Sequence, residues 1–80
     1  MSDEIIYAKL RSFLVERFPH ELGADEPLIG SGAIDSLGVL DLVAYIEREF
    51  GLRLGDEDIS PENFHSLARV TAFLADRMRA

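Results

Sequence analysis

Eighty residues with 48% hydrophobic content set the scale of one small core, and no apolar run reaches the roughly 18 to 20 residues that cross a bilayer. A formal net charge of −7 argues against a nucleic-acid ligand, whose phosphates would be repelled, and favours partners with basic surfaces. The absence of cysteine removes disulfides, thiolate catalysis and cysteine metal sites.

A single domain over residues 1–80 is expected, since the chain shows no internal repeat or low-complexity tract. Ser2, Asp3 and Glu4 supply a cap and favourable first-turn charge for a first helix. Its apolar residues Ile6, Leu10, Phe13, Leu14 and Phe18 recur at spacings of three and four. Pro19 stops it. From residue 19 to 34 the chain carries two prolines and three glycines without a period, which predicts a long loop of the kind that is often functional. Leu28 and Ile29 should pin that loop to the core, because leaving either in water forfeits about 1.5 to 3 kcal/mol.

A second helix is predicted over Ser36–Phe50, ended by Gly51 at a left-handed cap position. At about 100° per residue from Leu37, the side chains of Val39, Leu42, Val43, Ile46 and Phe50 fall between about 140° and 240°, a core stripe. Leu37, Leu40 and Ala44 fall between about −60° and 0°, on the opposite side, flanked by Asp41 at about +40° and Glu47 at about −80°. One stripe suffices to join a bundle. The second is either covered by neighbouring helices or is a hydrophobic docking strip with an acidic rim.

After Gly55 a short third helix is expected, with either Asp56–Ile59 or Pro61–Phe64 as its turn. The last helix starts with Ser66 as cap and runs to about Met78, with Leu67, Val70, Leu74 and Met78 on one stripe. Charge is uneven along the chain. Residues 35–66 hold eight acids and two bases, hence −6 of the −7. Taken alone, that segment is read most simply as a solvated acidic face.

The chemistry-bearing residues are few. His20 and His65 are separated loop residues without a second imidazole or thiolate at ligand spacing, and the context Ile34-Asp35-Ser36-Leu37-Gly38 lacks the G-x-S-x-G elbow of a hydrolase. Asp56, Asp58 and Ser60 imitate the start of a calcium loop, but Pro61 stands where that loop needs glycine and Leu67 where it needs glutamate. Neither a metal site nor a catalytic residue is expected. Ser36 remains, at a helix N-terminus whose unpaired N–H groups and partial positive charge tolerate a bonded phosphate.

Read as Leu28-Ile29-Gly30-Ser31-Gly32-Ala33-Ile34-Asp35-Ser36-Leu37, then Leu40-Asp41-Leu42-Val43 and Ile46-Glu47-Arg48-Glu49-Phe50-Gly51, the central stretch resembles the acyl carrier protein family. The resemblance extends through Asp56-Glu57-Asp58 to the last helix. It implies an all-α four-helix bundle with a long first loop and a short third helix. It also implies that Ser36 bears 4'-phosphopantetheine, derived from coenzyme A through a separate, magnesium-using phosphopantetheinyl transferase. The thiol that holds the acyl thioester would then belong wholly to the cofactor, consistent with the missing cysteine. By the same resemblance Asp35, Leu37, Leu40, Asp41, Ala44 and Glu47 map onto a partner face for loading ligases and acyl-processing enzymes with basic docking patches.

Two positions depart from the fatty-acid members of that family. Gly38 follows the Asp-Ser-Leu triplet where an acid is common, and Arg48 interrupts a run of acids near the end of the helix. Both favour a specialised carrier over the housekeeping one of fatty-acid synthesis, within an expected role in fatty-acid, polyketide or related secondary-metabolite biosynthesis. Aminoacyl or peptidyl carriers share the serine motif and stay open, as does an unmodified acidic helical adaptor in which Ser36 is a plain cap. The acidic N-terminus, unlike a signal peptide, leads to the expectation of a cytoplasmic monomer.

Overall fold

A computed structural model of the chain describes residues 2–17, 23, 25, 27, 28 and 36–79, the side chains of residues 36 and 37 excepted. Three helices form the frame, α1 (Asp3–Arg17), α2 (Ser36–Phe50) and α3 (Leu67–Arg79). Each begins and ends where local chemistry dictates. Ser2 Oγ accepts the N–H of Ile5 at 3.3 Å and the Ser2 carbonyl accepts that of Ile6 at 3.1 Å, which seats the first turn of α1. Gly51 adopts φ +66° immediately after α2, the left-handed cap read from the sequence. Ser66 Oγ accepts the N–H of Arg69 at 3.3 Å and caps α3. Phe18, Pro19 and Ile29 lie outside the described residues.

The core is built from the predicted stripes. Ile6, Leu10, Phe13 and Leu14 of α1, Leu42, Val43 and Ile46 of α2, and Leu67, Val70, Leu74 and Ala75 of α3 are buried together. Leu28 joins them from the long connection, fully buried, with its N–H donating to the His65 carbonyl at 2.9 Å beside an isolated antiparallel bridge between Pro27 and Ser66. That one bond and one side chain tie the α1–α2 connection to the start of α3.

α1 and α2 are joined by a ladder with one rung per helical turn. Lys9 Nζ meets Glu49 Oε1 at 2.8 Å, the Phe13 and Tyr45 rings stack at 4.3 Å and 19°, and Arg17 Nη1 lies 3.8 Å from Asp41 Oδ2. The numbers rise by four on α1 as they fall by four on α2, so the helices run antiparallel. The Tyr45 hydroxyl adds a 3.2 Å hydrogen bond to the Lys9 carbonyl.

Between Gly55 and Phe64 the expected short helix is resolved into two single helical turns, one at each of the two places proposed for it. The Gly55 carbonyl accepts the N–H of Asp58 at 3.0 Å and of Ile59 at 3.3 Å, and the Ser60 carbonyl accepts that of Phe64 at 3.0 Å. Pro61 keeps them apart. It has no N–H to continue the ladder of the first turn, and its ring disfavours helical geometry at Ser60. Ser60 therefore acts as cap for the second turn, accepting the Asn63 N–H at 3.2 Å. Among the described residues three regular helices stand, and the two turns are compatible with the short third helix expected between α2 and α3.

Candidate functional site

α2 starts at Ser36 itself, so the serine occupies the first helical position and the donors of the first turn lie around it. The first turn of α2 carries no acidic side chain, and a helix N-terminus is a setting that favours an anion. A phosphodiester on this residue fits that setting, and no base of the protein is needed to hold it. Gly38, in the same turn, is buried. The side chains of Ser36 and Leu37, and the whole of Asp35, lie outside the described residues.

The two stripes of α2 separate cleanly. Leu42 and Ile46 are fully buried and Val43 nearly so, with Val39 and Phe50 half-buried against them. Leu40 is 60% exposed and Ala44 is exposed, so neighbouring helices do not cover this part of the second stripe. Among the described residues, Ile5 and Val15 are the other large apolar side chains left exposed, both on α1. Asp41 flanks the strip as the angles required, half-exposed and paired with Arg17.

Glu47 departs from the expected free rim. Its Oε2 accepts the backbone N–H of Leu54 at 2.9 Å, so this carboxylate also fixes the turn that follows Gly51. Sequence reasoning missed that role, and missed the ladder as well. Lys9, Phe13 and Arg17 against Asp41, Tyr45 and Glu49 are two sets spaced by four with opposite charges in antiparallel order, a signal present in the sequence.

Elsewhere the polar groups are structural. Asp58 Oδ2 receives Arg77 Nη1 at 2.8 Å and the Gly55 N–H at 2.9 Å, while Arg77 Nη2 donates to the Arg53 carbonyl at 2.7 Å. The Arg77 hydrogen bond, reinforced by the Gly55 N–H, holds the Asp58 carboxyl below its ordinary range. The resemblance of Asp56-Asp58-Ser60 to a calcium loop ends in that arrangement, and no group of three or more metal-binding side chains forms among the described residues. Lys9 is held above its ordinary pKa by its hydrogen bond to Glu49, and Tyr45 by burial. His65 is exposed, and His20 lies outside the described residues. No described helix is long and apolar enough to cross a membrane.

Comparison with known proteins agrees with this geometry. Residues 10–74 match the family model for the phosphopantetheine attachment site. An acyl carrier protein of Bdellovibrio bacteriovorus is 30% identical over 78 residues, covering 94% of this chain and 97% of the relative. One of Akkermansia muciniphila is 34% identical over 77 residues, covering 92% and 94%. Among solved structures, the solution NMR structure of a holo acyl carrier protein from Nitrosomonas europaea superposes with a TM-score of 0.71 at 24% identity, covering 98% of this chain and 96% of that one. A chain from a crystal structure of an FAD-dependent dehydrogenase superposes with a TM-score of 0.68 at 28% identity, covering 86% and 97%.

Proposed function

This chain belongs to the acyl carrier proteins, the phosphopantetheine-bearing family, and we propose that Ser36 is the residue through which it holds its 4'-phosphopantetheine arm. The observation that carries the assignment is positional: Ser36 opens a helix whose first turn has no carboxylate of its own. The group supplies a thiol that holds an acyl group as a thioester. The protein supplies a hydroxyl to anchor it, backbone N–H groups that favour the phosphate, and a frame that presents the anchor to other enzymes. With no cysteine in the chain, no protein thiol competes for the acyl group.

As a carrier rather than a catalyst, the chain depends on partners for each chemical step. A phosphopantetheinyl transferase installs the arm, a ligase loads it, and acyl-processing enzymes act on the cargo. We assign the docking face to Asp35, Leu37, Leu40, Asp41, Ala44 and Glu47, for which the exposure of Leu40 and Ala44 is the support. In the bundle of the family, the two turns at residues 55–64 take the place of the short third helix. The cargo we favour is an acyl group of fatty-acid, polyketide or related biosynthesis, handled by a cytoplasmic monomer whose net charge of −7 keeps copies apart.

Intact-mass measurement after incubation with coenzyme A, magnesium and a broad-specificity phosphopantetheinyl transferase tests the assignment. One phosphopantetheine is gained by the parent chain and none by Ser36→Ala. No gain in the parent, or a gain that survives the substitution, refutes it.

A further inference from the structure

α1 carries two apolar faces. Ile6, Leu10, Phe13 and Leu14 enter the core, between about 80° and 180° when counted at about 100° per residue from Ile5. Ile5, Ala8, Ser12 and Val15 fall between about −80° and 0°, on the solvent side. Ile5 and Val15 are 49% and 50% exposed, and Ala8 and Ser12 are exposed between them. Their spacing of three, four and three is the a/d seam of two heptads, with Ile5 and Ser12 at a and Ala8 and Val15 at d. Every flanking position is charged, Glu4 and Arg11 at g, Lys9 and Glu16 at e. Two acids and two bases leave these flanks neutral in a chain of net charge −7. The nearest charges of α2 are already paired with α1, Glu49 with Lys9 at 2.8 Å and Asp41 with Arg17 at 3.8 Å. Lys9 Nζ keeps further N–H donors beside that contact.

We infer that this face pairs with the same face of a second copy, the two α1 helices lying parallel and in register. The order of the charges selects the orientation. In a parallel pair each g residue meets the e residue five positions on in the other helix, which sets Glu4 against Lys9 and Arg11 against Glu16 in both directions. An antiparallel pair that faces Ile5 with Val15 and Ala8 with Ser12 instead brings Lys9 to Lys9 and Arg11 to Arg11, each within about 3 Å of axial rise. Like charges then meet on both flanks. Four seam residues a side are few beside the roughly 20 to 30 of a stable interface, so the pair is weak and dilute chains stay monomeric. It forms where two copies are held together, as on a dimeric partner enzyme, at effective concentrations on the order of millimolar. Its consequence rests on the carrier assignment. α2 runs antiparallel to α1 and begins at Ser36, so the anchor lies at the C-terminal end of α1, where Arg17 meets Asp41. A parallel pair therefore sets both anchors at one end and offers two arms side by side.

Disulfide trapping tests the pairing in the full chain before modification, where an introduced cysteine is the only thiol. Ser12→Cys and Ala8→Cys, each facing its own counterpart across the seam, are compared with Ala72→Cys, exposed on α3. Protein is held at about 1 mM in about 0.15 M salt, where repulsion beyond about 8 Å is screened. Both seam cysteines cross-link about tenfold faster than Ala72→Cys. Adding Glu16→Arg to Ser12→Cys sets an arginine against Arg11 and removes most of that gain, and adding Arg11→Glu as well restores it. Circular dichroism checks each fold, and if one seam cysteine unfolds the chain the other decides. Equal rates at the seam and at Ala72→Cys overturn the inference. So does a loss with Glu16→Arg that Arg11→Glu fails to restore, or a mixture of Ala8→Cys and Ser12→Cys chains that cross-links chiefly between the two kinds. The carrier assignment stands in each of these cases, since trapping involves no arm. A chain that gains no mass with coenzyme A and transferase removes the paired arms and leaves the paired helices.

Discussion

Leu40 and Leu42 lie two residues apart on α2, and the same truncation to alanine separates the faces they occupy. Leu42 is fully buried, so Leu42→Ala removes the transfer energy of its methyl groups and leaves a cavity, a loss of about 2 to 5 kcal/mol. A domain of 80 residues has about 4 to 12 kcal/mol to lose, so the variant gives up a large share of its stability. Leu40 is 60% exposed. Full burial of a leucine is worth about 1.5 to 3 kcal/mol, so its smaller buried fraction caps the loss at about 0.5 to 1 kcal/mol, partly offset by the better helix propensity of alanine. Urea unfolding followed by circular dichroism measures both, with an unchanged m-value as the check that only stability moved. Thermal melting should show Leu42→Ala lower by at least about 8 °C. Leu40→Ala, nearly as stable as the parent, should instead slow modification of Ser36 by a partner transferase. Similar destabilisation by the two substitutions would mean that the second stripe of α2 is core, and the docking face would have to be abandoned.

Two further substitutions examine the frame. Gly51→Ala places a side chain at φ +66°, where its Cβ meets nothing within 4 Å, so the cost is conformational alone and amounts to about 1 to 2 kcal/mol; a neutral result in urea unfolding would contradict the left-handed cap. The Asp58 carboxyl is lowered from its ordinary 3.8 by Arg77 and by the Gly55 N–H, so its contribution is complete above that value and is lost as pH falls through the lower folded value. Stability measured against pH should therefore lose part of its acidic slope in Asp58→Asn and in Arg77→Met, and an unaltered slope in both would show that the pair does not couple the turns to α3.

Several features were legible because they are local. The capping serines Ser2 and Ser66, the glycine after Phe50 and the spacing of Ile6, Leu10, Phe13 and Leu14 each follow from backbone requirements acting over a few residues. The short third helix was legible only as two alternative turns, Asp56–Ile59 or Pro61–Phe64, and both form, because Pro61 separates them and lets neither extend into the other. Ser36 was legible as a position, since helix start and motif coincide there. The engagement of Glu47 with Leu54 was not, because the hydrogen bond depends on how the chain folds back after Gly51.

Length, charge, helical periods and the Asp-Ser-Leu setting of Ser36 were determined by the sequence, and with them the all-helical frame and the carrier family. Tertiary structure decided which apolar stripe of α2 is buried, because burial depends on what α1 and α3 bring against it and not on the stripe's own composition. It also decided the electrostatic character of the exposed stripe. Formal charges sum along a chain without reference to distance, whereas Arg17 offsets Asp41, and Lys9 Glu49, only once two antiparallel helices bring them within 4 Å.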